Sequence, residues 1–308
     1  EKYEVSYLNE MPEGGWTDEY KTTKLVLKLI PPGTFLMGSP DDEIGREGVG
    51  SYDNNYWGRQ GYIGKETRHT ATLTQPFYCG VFEITEQQWN LIYGGGIDNT
   101  YAKGNLWYNL LRGSVLGSKW PEHQQVDADS FIGKLRSRTG VTFDLPTEAQ
   151  WEYACRAGTD SALNNNMNLT TAQRYCPNLD KVGAFAWYDG GTYTCGRQKV
   201  GSYQPNAFGL YDMHGGEAEW CLDWFQKDLG TEDVSDPKGP NSGLQGCRVL
   251  RGGRSWHDNN SGRYYETAWT CRSAARYYRS YVSSGGTQYF TPEYRYAGCR
   301  LVALPAAK

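Results

Sequence analysis

Short apolar runs separated by long polar stretches constrain the fold of this chain more than any other feature. The apolar runs have the length and residue types of β-strands, and they lie at residues 25–30, 34–38, 71–74, 77–84 and 300–303. The polar stretches are long for connections in a compact domain, and they include residues 39–68, 158–180 and 226–246. With 38 Gly beside 24 Tyr, 11 Trp and 9 Phe, the chain has too much aromatic surface for disorder. We predict one loop-rich α+β domain over residues 1–308 with little regular secondary structure.

Three helices are predicted from their amino-terminal caps. Residues 85–88 (TEQQ) and 147–150 (TEAQ) are capping boxes that begin the first and third helices. Glycines at 94–96 should end the first helix, and the third should end near Gly158. Between them, Asp127 or Ser130 begins a second helix, which ends at Gly140.

Charge and hydropathy argue against two classes of partner. The formal net charge is −4, so binding of nucleic acid through bulk positive charge is not expected. Mean hydropathy is −0.70, and no apolar run approaches the roughly 18 residues that a membrane span needs. The domain is therefore not expected to span a membrane.

The eight cysteines leave two interpretations open. They form no C-x-x-C pair and no cluster with zinc spacing. They are either scattered buried thiols or members of disulfides in an exported protein, and we favour export. Because the chain begins at Glu1, we expect any targeting segment to lie upstream.

Motifs for common enzyme chemistry are weak. Residues 61–65 resemble a phosphate-binding loop, but Arg59 stands where its first glycine belongs and Glu66 where Ser or Thr should bind magnesium. The four histidines lie outside helical reach of one another, and no G-x-S-x-G motif is present. Nucleophilic hydrolysis is therefore not expected.

One acidic group has the residue types of a calcium site. Asp212, Glu217 and Glu219 lie close to Gly209 and to the glycines at 215–216. Carboxylates on glycine-rich loops are calcium ligands, but such acids also cap turns. A structural calcium and a purely turn-capping role both remain open.

Several longer motifs occur in one order along the chain. They read FLMG at 35–38, FYCGVFEIT at 77–85, DLPTEAQWEY at 144–153, NAFGLYDM at 206–213, EWCLDW at 219–224, RVLRGG at 248–253, CRSAAR at 271–276 and GCRLV at 298–302. Together they resemble the formylglycine-generating-enzyme (sulfatase-modifying factor) family over about residues 25–303. The resemblance implies a C-type-lectin-like fold of the formylglycine-generating-enzyme type.

The same resemblance puts the family's catalysis in doubt. The enzymes of this family hold copper with two cysteines that follow the Arg-Gly-Gly motif, and copper(I) favours such soft ligands. Residues 254–270 contain no cysteine, so this pair cannot form here. The resemblance also implies a disulfide between Cys155 and Cys271. The family's Gly-Asn-x-x-Glu-Trp motif corresponds to residues 215–220, which read GGEAEW and have Gly216 in place of the Asn.

The region that replaces the catalytic cysteines has the composition of a binding surface. Residues 254–296 contain eight Tyr, six Arg, six Ser and two Trp but no Lys. Tyr and Trp provide rigid contact area, Ser adapts its hydrogen bonds, and Arg anchors interfaces. An ordinary aromatic-rich domain is the alternative, but Tyr pairs such as 264–265 and 277–278 cannot all face one core.

This composition, with its flanks, resembles the variable proteins of diversity-generating retroelements. The flanks read RGGRSW at 251–256 and GCRLV at 298–302, so residues 254–298 are the predicted variable region. The predicted ligand-binding residues, expected on one exposed face, are His257, Asp258, Tyr264, Tyr265, Tyr277, Tyr278, Arg279, Tyr281, Tyr294 and Tyr296. Framework residues that should support them are Ser255, Trp256, Cys271, Arg272 and Arg276. We expect Arg272 and Arg276, four residues apart, to brace the loops through paired carboxylates.

These observations predict a display protein rather than an enzyme. The expected partner is a protein or other macromolecule, bound by a monomer that needs no cofactor beyond a possible structural calcium. Resemblance to the variable proteins implies an exported protein on a bacterial cell surface, with a possible lipid anchor upstream of Glu1. The alternatives are a metal-dependent oxidase and a calcium-dependent sugar-binding lectin.

Overall fold

The structure is a computed structural model that describes residues 2–48, 63–95, 99–104, 106–113, 120–123, 125–172, 176–183, 187–189, 192–194, 198–243, 247–253, 268–280 and 297–305. The α-helices are α1 (Glu19–Thr22), α2 (Glu86–Tyr93), α3 (Tyr108–Leu111), α4 (Phe131–Thr139) and α5 (Glu148–Arg156). Short 3₁₀ helices are Arg46–Gly48, Leu179–Lys181 and Ala268–Cys271. The strands are β1 (Leu27–Ile30), β2 (Gly33–Met37), β3 (His69–Leu73), β4 (Phe77–Gly80), β5 (Phe143–Asp144), β6 (Trp187–Asp189), β7 (Thr192–Thr194), β8 (Ala218–Trp224), β9 (Val234–Ser235), β10 (Cys247–Arg251), β11 (Tyr277–Ser280), β12 (Ala297–Gly298) and β13 (Val302–Ala303).

The predicted helix caps are confirmed. Thr85 and Thr147 each form a complete capping box at the start of α2 and α5, and Ser130 caps α4 by accepting from the N–H of Gly133. Gly140 ends α4 with a φ of +73°, a left-handed conformation that glycine adopts at little cost. Across the described residues, no helix is both long and apolar enough to cross a membrane.

The strands form several small sheets. One has the order β1-β4-β13-β5, another β11-β10-β8-β12 and a third β2-β3-β9, while β6 pairs with β7. The predicted apolar runs correspond to β1, β2, β3, β4 and β13. None of the four strands in the β11-β10-β8-β12 sheet was predicted from the sequence, although β11 and β12 lie within the predicted variable region.

This sheet is buried on both faces. Leu250 of β10 lies opposite Tyr277 of β11, and both belong to one apolar cluster with Trp220 of β8. The neighbouring pair, Val249 and Tyr278, belongs to a second cluster on the other side. Because adjacent strand residues point to opposite faces, consecutive side chains of β10 and β11 enter two different cores.

Candidate functional site

Residues 268–280, called the stem below, lie in sequence between two parts of the predicted variable region, 254–267 and 281–296. The stem consists of a 3₁₀ helix, a turn and β11. It closely approaches the preceding chain at Gly253, where a Cβ atom would lie 2.5 Å from the Sγ of Cys271. The N–H of Gly253 donates to the Tyr277 hydroxyl at 3.2 Å. The described chain is therefore fixed up to the point where residues 254–267 begin.

Arg272 ties the stem to the amino-terminal half of the chain. Its guanidinium donates to both carboxylate oxygens of Glu66, at 2.6 and 2.8 Å, and also to Glu43 and to the carbonyl of Gly45. Burial would raise the pKa of Glu66, but the charge and hydrogen bonds of Arg272 outweigh burial and lower the pKa below its ordinary value. The predicted bracing role of Arg272 is confirmed.

Arg276 begins a buried chain of alternating charges. It contacts Glu148, which also pairs with Arg251 at 3.0 Å. Arg251 in turn pairs with Glu152 at 2.7 Å, and Glu152 pairs with Arg156 at 2.8 Å. Arg251 also donates to the carbonyls of two stem residues, 273 and 275. This chain joins α5, β10 and the stem, and it confirms the predicted role of Arg276.

The two networks balance in charge. Their arginines are Arg156, Arg251, Arg272 and Arg276, and their glutamates are Glu43, Glu66, Glu148 and Glu152, all of them buried. Four positive and four negative charges leave no net charge within these two networks. Removing one member of such a buried pair leaves its partner as an uncompensated buried charge, which typically destabilises the folded protein by about 3–5 kcal/mol. The stem is thus held by ion pairs that depend on one another.

Tyr277 and Tyr278 are buried, so their predicted place on an exposed binding face is wrong. Each is 4% exposed. As expected, the two side chains point to opposite faces of the sheet. Because each face packs against its own apolar cluster, both side chains are buried. Tyr278 packs against Phe225 with ring centroids 4.4 Å apart. Both tyrosines belong to the framework.

The other predicted ligand-binding residues are not tested by the structure. Arg279 lies on β11 opposite Arg248, but its side chain is outside the described residues. Also outside them are His257, Asp258, Tyr264, Tyr265, Tyr281, Tyr294 and Tyr296, with the framework residues Ser255 and Trp256. Their role as a contact surface stays a prediction.

The predicted disulfide between Cys155 and Cys271 is wrong, because Cys155 carries a free, buried thiol. The Cys155 Sγ lies 3.8 Å from His214 Nε2 and 3.6 Å from the Ser273 hydroxyl. His214 Nδ1 lies 2.7 Å from the Cys271 carbonyl oxygen, so a histidine ring links the two cysteine positions. Burial lowers the pKa of His214 to about 4, so the ring is neutral near pH 7.

Two of the three acids of the predicted calcium site, Asp212 and Glu219, have protein partners for their carboxylates. Glu219 pairs with Arg300 at 3.0 Å and accepts from the Trp151 indole at 2.7 Å. Asp212 accepts from the N–H of Gly201, and burial raises its pKa to about 6. For Glu217, it is the backbone N–H that donates, to the Glu83 carboxylate at 2.9 Å. Within the described ranges, no group of three or more His, Cys, Asp or Glu side chains is arranged to hold a metal ion.

Comparison with known sequences assigns the family. The model of the sulfatase-modifying factor enzyme 1-like domain matches residues 17–283. The formylglycine-generating enzyme of Mus musculus is 28% identical over 254 residues, which cover 75% of this chain and 66% of the enzyme. That of Thermomonospora curvata is 39% identical over 137 residues, covering 42% of this chain and 44% of the enzyme. The chain therefore matches less than two thirds of the length of either relative.

Comparison with solved structures supports the fold. Treponema denticola variable protein 1 superposes with a TM-score of 0.56 at 22% identity, over 91% of this chain and 95% of that protein. PvdO from Pseudomonas aeruginosa superposes with a TM-score of 0.53 at 21% identity, over 91% and 94%. The fold is α+β and C-type-lectin-like, as predicted, and it resembles that of a variable protein. From the matched domain and the fold together, this chain belongs to the sulfatase-modifying factor (formylglycine-generating-enzyme-like) family.

Proposed function

We propose that this chain is a non-catalytic display protein that binds a protein or other macromolecule through residues 254–298, a region that a retroelement diversifies. The observation that carries the proposal is the contrast between the stem and its sequence neighbours. The stem is fixed by buried ion pairs to Glu43, Glu66 and Glu148. Its neighbours, 254–267 and 281–296, are rich in Tyr and lack Lys.

A fixed stem suits this function for a thermodynamic reason. Ordering a loop on binding costs free energy, so a scaffold that holds its contact segments in place loses less affinity. Arg251 and Arg276 are buried and both pair with Glu148 of α5, so the stem is attached to this helix. Substitutions in the contact segments then leave these pairs intact, which a diversified region requires.

With Tyr277 and Tyr278 in the framework, eight of the predicted contact residues remain. They are His257, Asp258, Tyr264, Tyr265, Arg279, Tyr281, Tyr294 and Tyr296. We further propose that the protein acts as a monomer on a bacterial cell surface after export. A lipid anchor upstream of Glu1 would hold it there, and the domain binds neither nucleic acid nor a membrane interior.

A metal-dependent oxidase is the second candidate, because relatives named formylglycine-generating enzyme match this chain. The family's copper site requires two cysteines after the Arg-Gly-Gly motif, and residues 254–270 have none. An oxidase would need a site built from other residues, such as His and Tyr. Elemental analysis of the purified protein distinguishes the two: stoichiometric copper or iron with turnover would support the oxidase.

The display function is tested by a library on this scaffold. Codons for the eight remaining contact residues are randomised in the full chain, which is then displayed and selected against lysozyme as a probe protein. A display scaffold should give folded, lysozyme-binding members from many sequences. A library that fails to fold or yields no binder would contradict the proposal. In the genome, a near-copy of the C-terminal coding segment that differs at adenines, beside a reverse-transcriptase gene, would support diversification.

A further inference from the structure

Residues 39–47, called the strap below, lie against the stem and bury no apolar side chain. The buried residues of the strap are Ser39, Glu43 and Gly45, whereas its one large apolar residue, Ile44, is 42% exposed. Segments with few buried apolar contacts open locally at low cost, because hydrophobic burial does not hold them closed. The strap is therefore held in place by its polar contacts.

The strap meets the stem at Arg272. The Arg272 guanidinium donates to the Glu43 carboxylate and, at 2.8 Å, to the Gly45 carbonyl. Gly45 also fits closely against the stem, because a Cβ atom there would lie 2.7 Å from the Cβ of Trp269. Opening of the strap would therefore uncover Arg272 and Trp269, both of which are buried in the docked form.

Glu66 holds both ends of the strap. Its carboxylate accepts from the Ser39 hydroxyl at 2.7 Å and from the N–H of Glu47 at 3.1 Å. The N–H of Glu66 donates in return to the Glu47 carboxylate at 3.2 Å. Because Glu66 also pairs with Arg272, this one arginine faces two buried carboxylates, those of Glu43 and Glu66. When both acids are ionised, the three groups together carry one excess negative charge.

Glu43 is the less well compensated of the two acids. Within the described part of the chain, its carboxylate has one hydrogen-bond partner, Arg272, which it shares with Glu66. Burial raises the pKa of Glu43 from its ordinary 4.5, although the positive charge of Arg272 opposes this shift. The Glu66 carboxylate adds to the shift, and Arg156 opposes it weakly. Ionisation of Glu43 therefore costs more free energy in the docked strap than in an open, solvated one.

Other charged groups face Glu43 from the elements packed around it. Beyond Arg272 and Glu66, they are Arg156 at the end of α5 and, on the strap itself, Arg46 and Glu47, which lie 3.5 Å apart. The lowered pKa of Glu66 keeps this acid ionised above pH 4.5 whether the strap is docked or open. Glu66 therefore adds no pH dependence to docking in the range where Glu43 titrates.

We propose that residues 39–47 form a proton-controlled strap, which stays docked on the stem while Glu43 is protonated and opens more often once Glu43 is ionised. A group that holds its proton more tightly in the docked form favours docking below its ordinary pKa. That contribution is lost as the pH rises through the pKa of the docked form. Docking should thus weaken between about pH 5 and pH 7.5. This inference does not depend on the proposed display function.

Hydrogen exchange of the full chain tests the proposal. Four strap amides are hydrogen-bonded in the docked form, those of Ser39, Glu43, Arg46 and Glu47. Their protection is measured by NMR at four pH values from about 5 to 7.5, after correction for the intrinsic effect of pH on exchange, with α4 as the internal reference. We expect strap protection to fall by about threefold or more relative to α4.

Two variants assign the effect to Glu43. Glu43→Gln cannot titrate but keeps an oxygen that accepts from Arg272. Its strap should be docked at pH 5 and should change its protection by less than about 1.5-fold up to pH 7.5. Asp42→Asn is the matched control, because Asp42 is the exposed neighbour of Glu43, and it should behave like the parent chain.

Several outcomes would overturn the proposal. Strap protection that is independent of pH in the parent chain would do so, as would a Glu43→Gln variant that keeps the parent's pH dependence. A strap that exchanges freely at pH 5 in Glu43→Gln, with α4 still protected, would show that a neutral side chain does not dock. If Glu43→Gln does not fold, the parent profile decides: a fall confined to the strap supports the proposal, and an equal fall in α4 contradicts it.

Discussion

Arg276 and Glu148 form a two-point ion pair beneath the stem. The Nε and Nη2 atoms of Arg276 lie 2.7 Å from the Oε1 and Oε2 atoms of Glu148, respectively. Glu148 is also the first residue of α5, where its N–H donates to Asp223 at 2.7 Å. One residue therefore begins a helix, neutralises two arginines and positions the strand that leads into residues 281–296.

Glu148→Gln should destabilise the protein strongly. The substitution keeps the side-chain shape but leaves Arg276 and Arg251 short of one negative charge in the interior. We expect the free energy of unfolding to fall by about 3–5 kcal/mol, measured by urea denaturation. Glu19→Gln is the control, because Glu19 pairs with Lys24 on the surface and should change stability very little. Equal effects of the two variants would show that the buried network does not act as described.

Asp223 should make stability depend on pH. Burial, with a contribution from the nearby Glu148 carboxylate, raises the pKa of Asp223 from 3.8 to about 7. The folded protein holds this proton more tightly than the unfolded chain, so the stabilisation is complete below about pH 4 and is lost as the pH rises to about 7. Arg248 and Arg276 also act on this carboxyl group and oppose the shift.

The variant Asp223→Asn isolates that contribution. It keeps an oxygen to accept from the N–H of Glu148 but cannot titrate. Relative to the parent protein, we expect its free energy of unfolding to increase between pH 4 and pH 8, by on the order of a few kcal/mol. Urea denaturation at four or five pH values measures the difference. A constant difference across this range would contradict the assigned pKa.

Cys155 should carry a free thiol that can be labelled without prior reduction once the protein is unfolded. Its Sγ is free but fully buried, and burial raises its pKa to about 12. We expect no labelling by iodoacetamide in the native state and complete labelling in denaturant without a reductant, detected by peptide mass spectrometry. Labelling that appears only after reduction would mean that Cys155 is in a disulfide in the purified protein.

The sequence predicted local structure better than it predicted burial. Caps at Thr85, Ser130 and Thr147 depend on neighbouring residues, so the helices could be predicted directly. The strands β8 and β10 could not, because a sheet with a core on each face has no alternating pattern. Glu219 of β8 was instead grouped with Asp212 and Glu217 as a possible calcium ligand or turn cap, whereas in the structure it pairs with Arg300. Periodicity cannot show such long-range partners.

The same reason explains the outcome at the stem. Arg272 and Arg276 were predicted to pair with carboxylates, but Glu43, Glu66 and Glu148 lie 128 to 229 residues away along the chain. Nothing in the local sequence identifies them as partners. The burial of Tyr277 and Tyr278 likewise depends on Trp220 and Phe225 from β8 and the chain after it.

Two sets of tyrosines should therefore respond differently to alanine. Tyr278 fills space beside Phe225, so Tyr278→Ala should cost about 3–5 kcal/mol through the cavity that it leaves. Tyr264→Ala and Tyr281→Ala should each change stability by less than about 0.5 kcal/mol if these residues form the exposed contact set. In a binder selected from the library, alanine at positions 264 and 281 should reduce the affinity of the folded protein more than Tyr278→Ala does. Calorimetry measures the stability of each purified variant, and binding titrations measure its affinity. A large loss of stability in Tyr264→Ala or Tyr281→Ala would place that ring in a core instead of on the binding face.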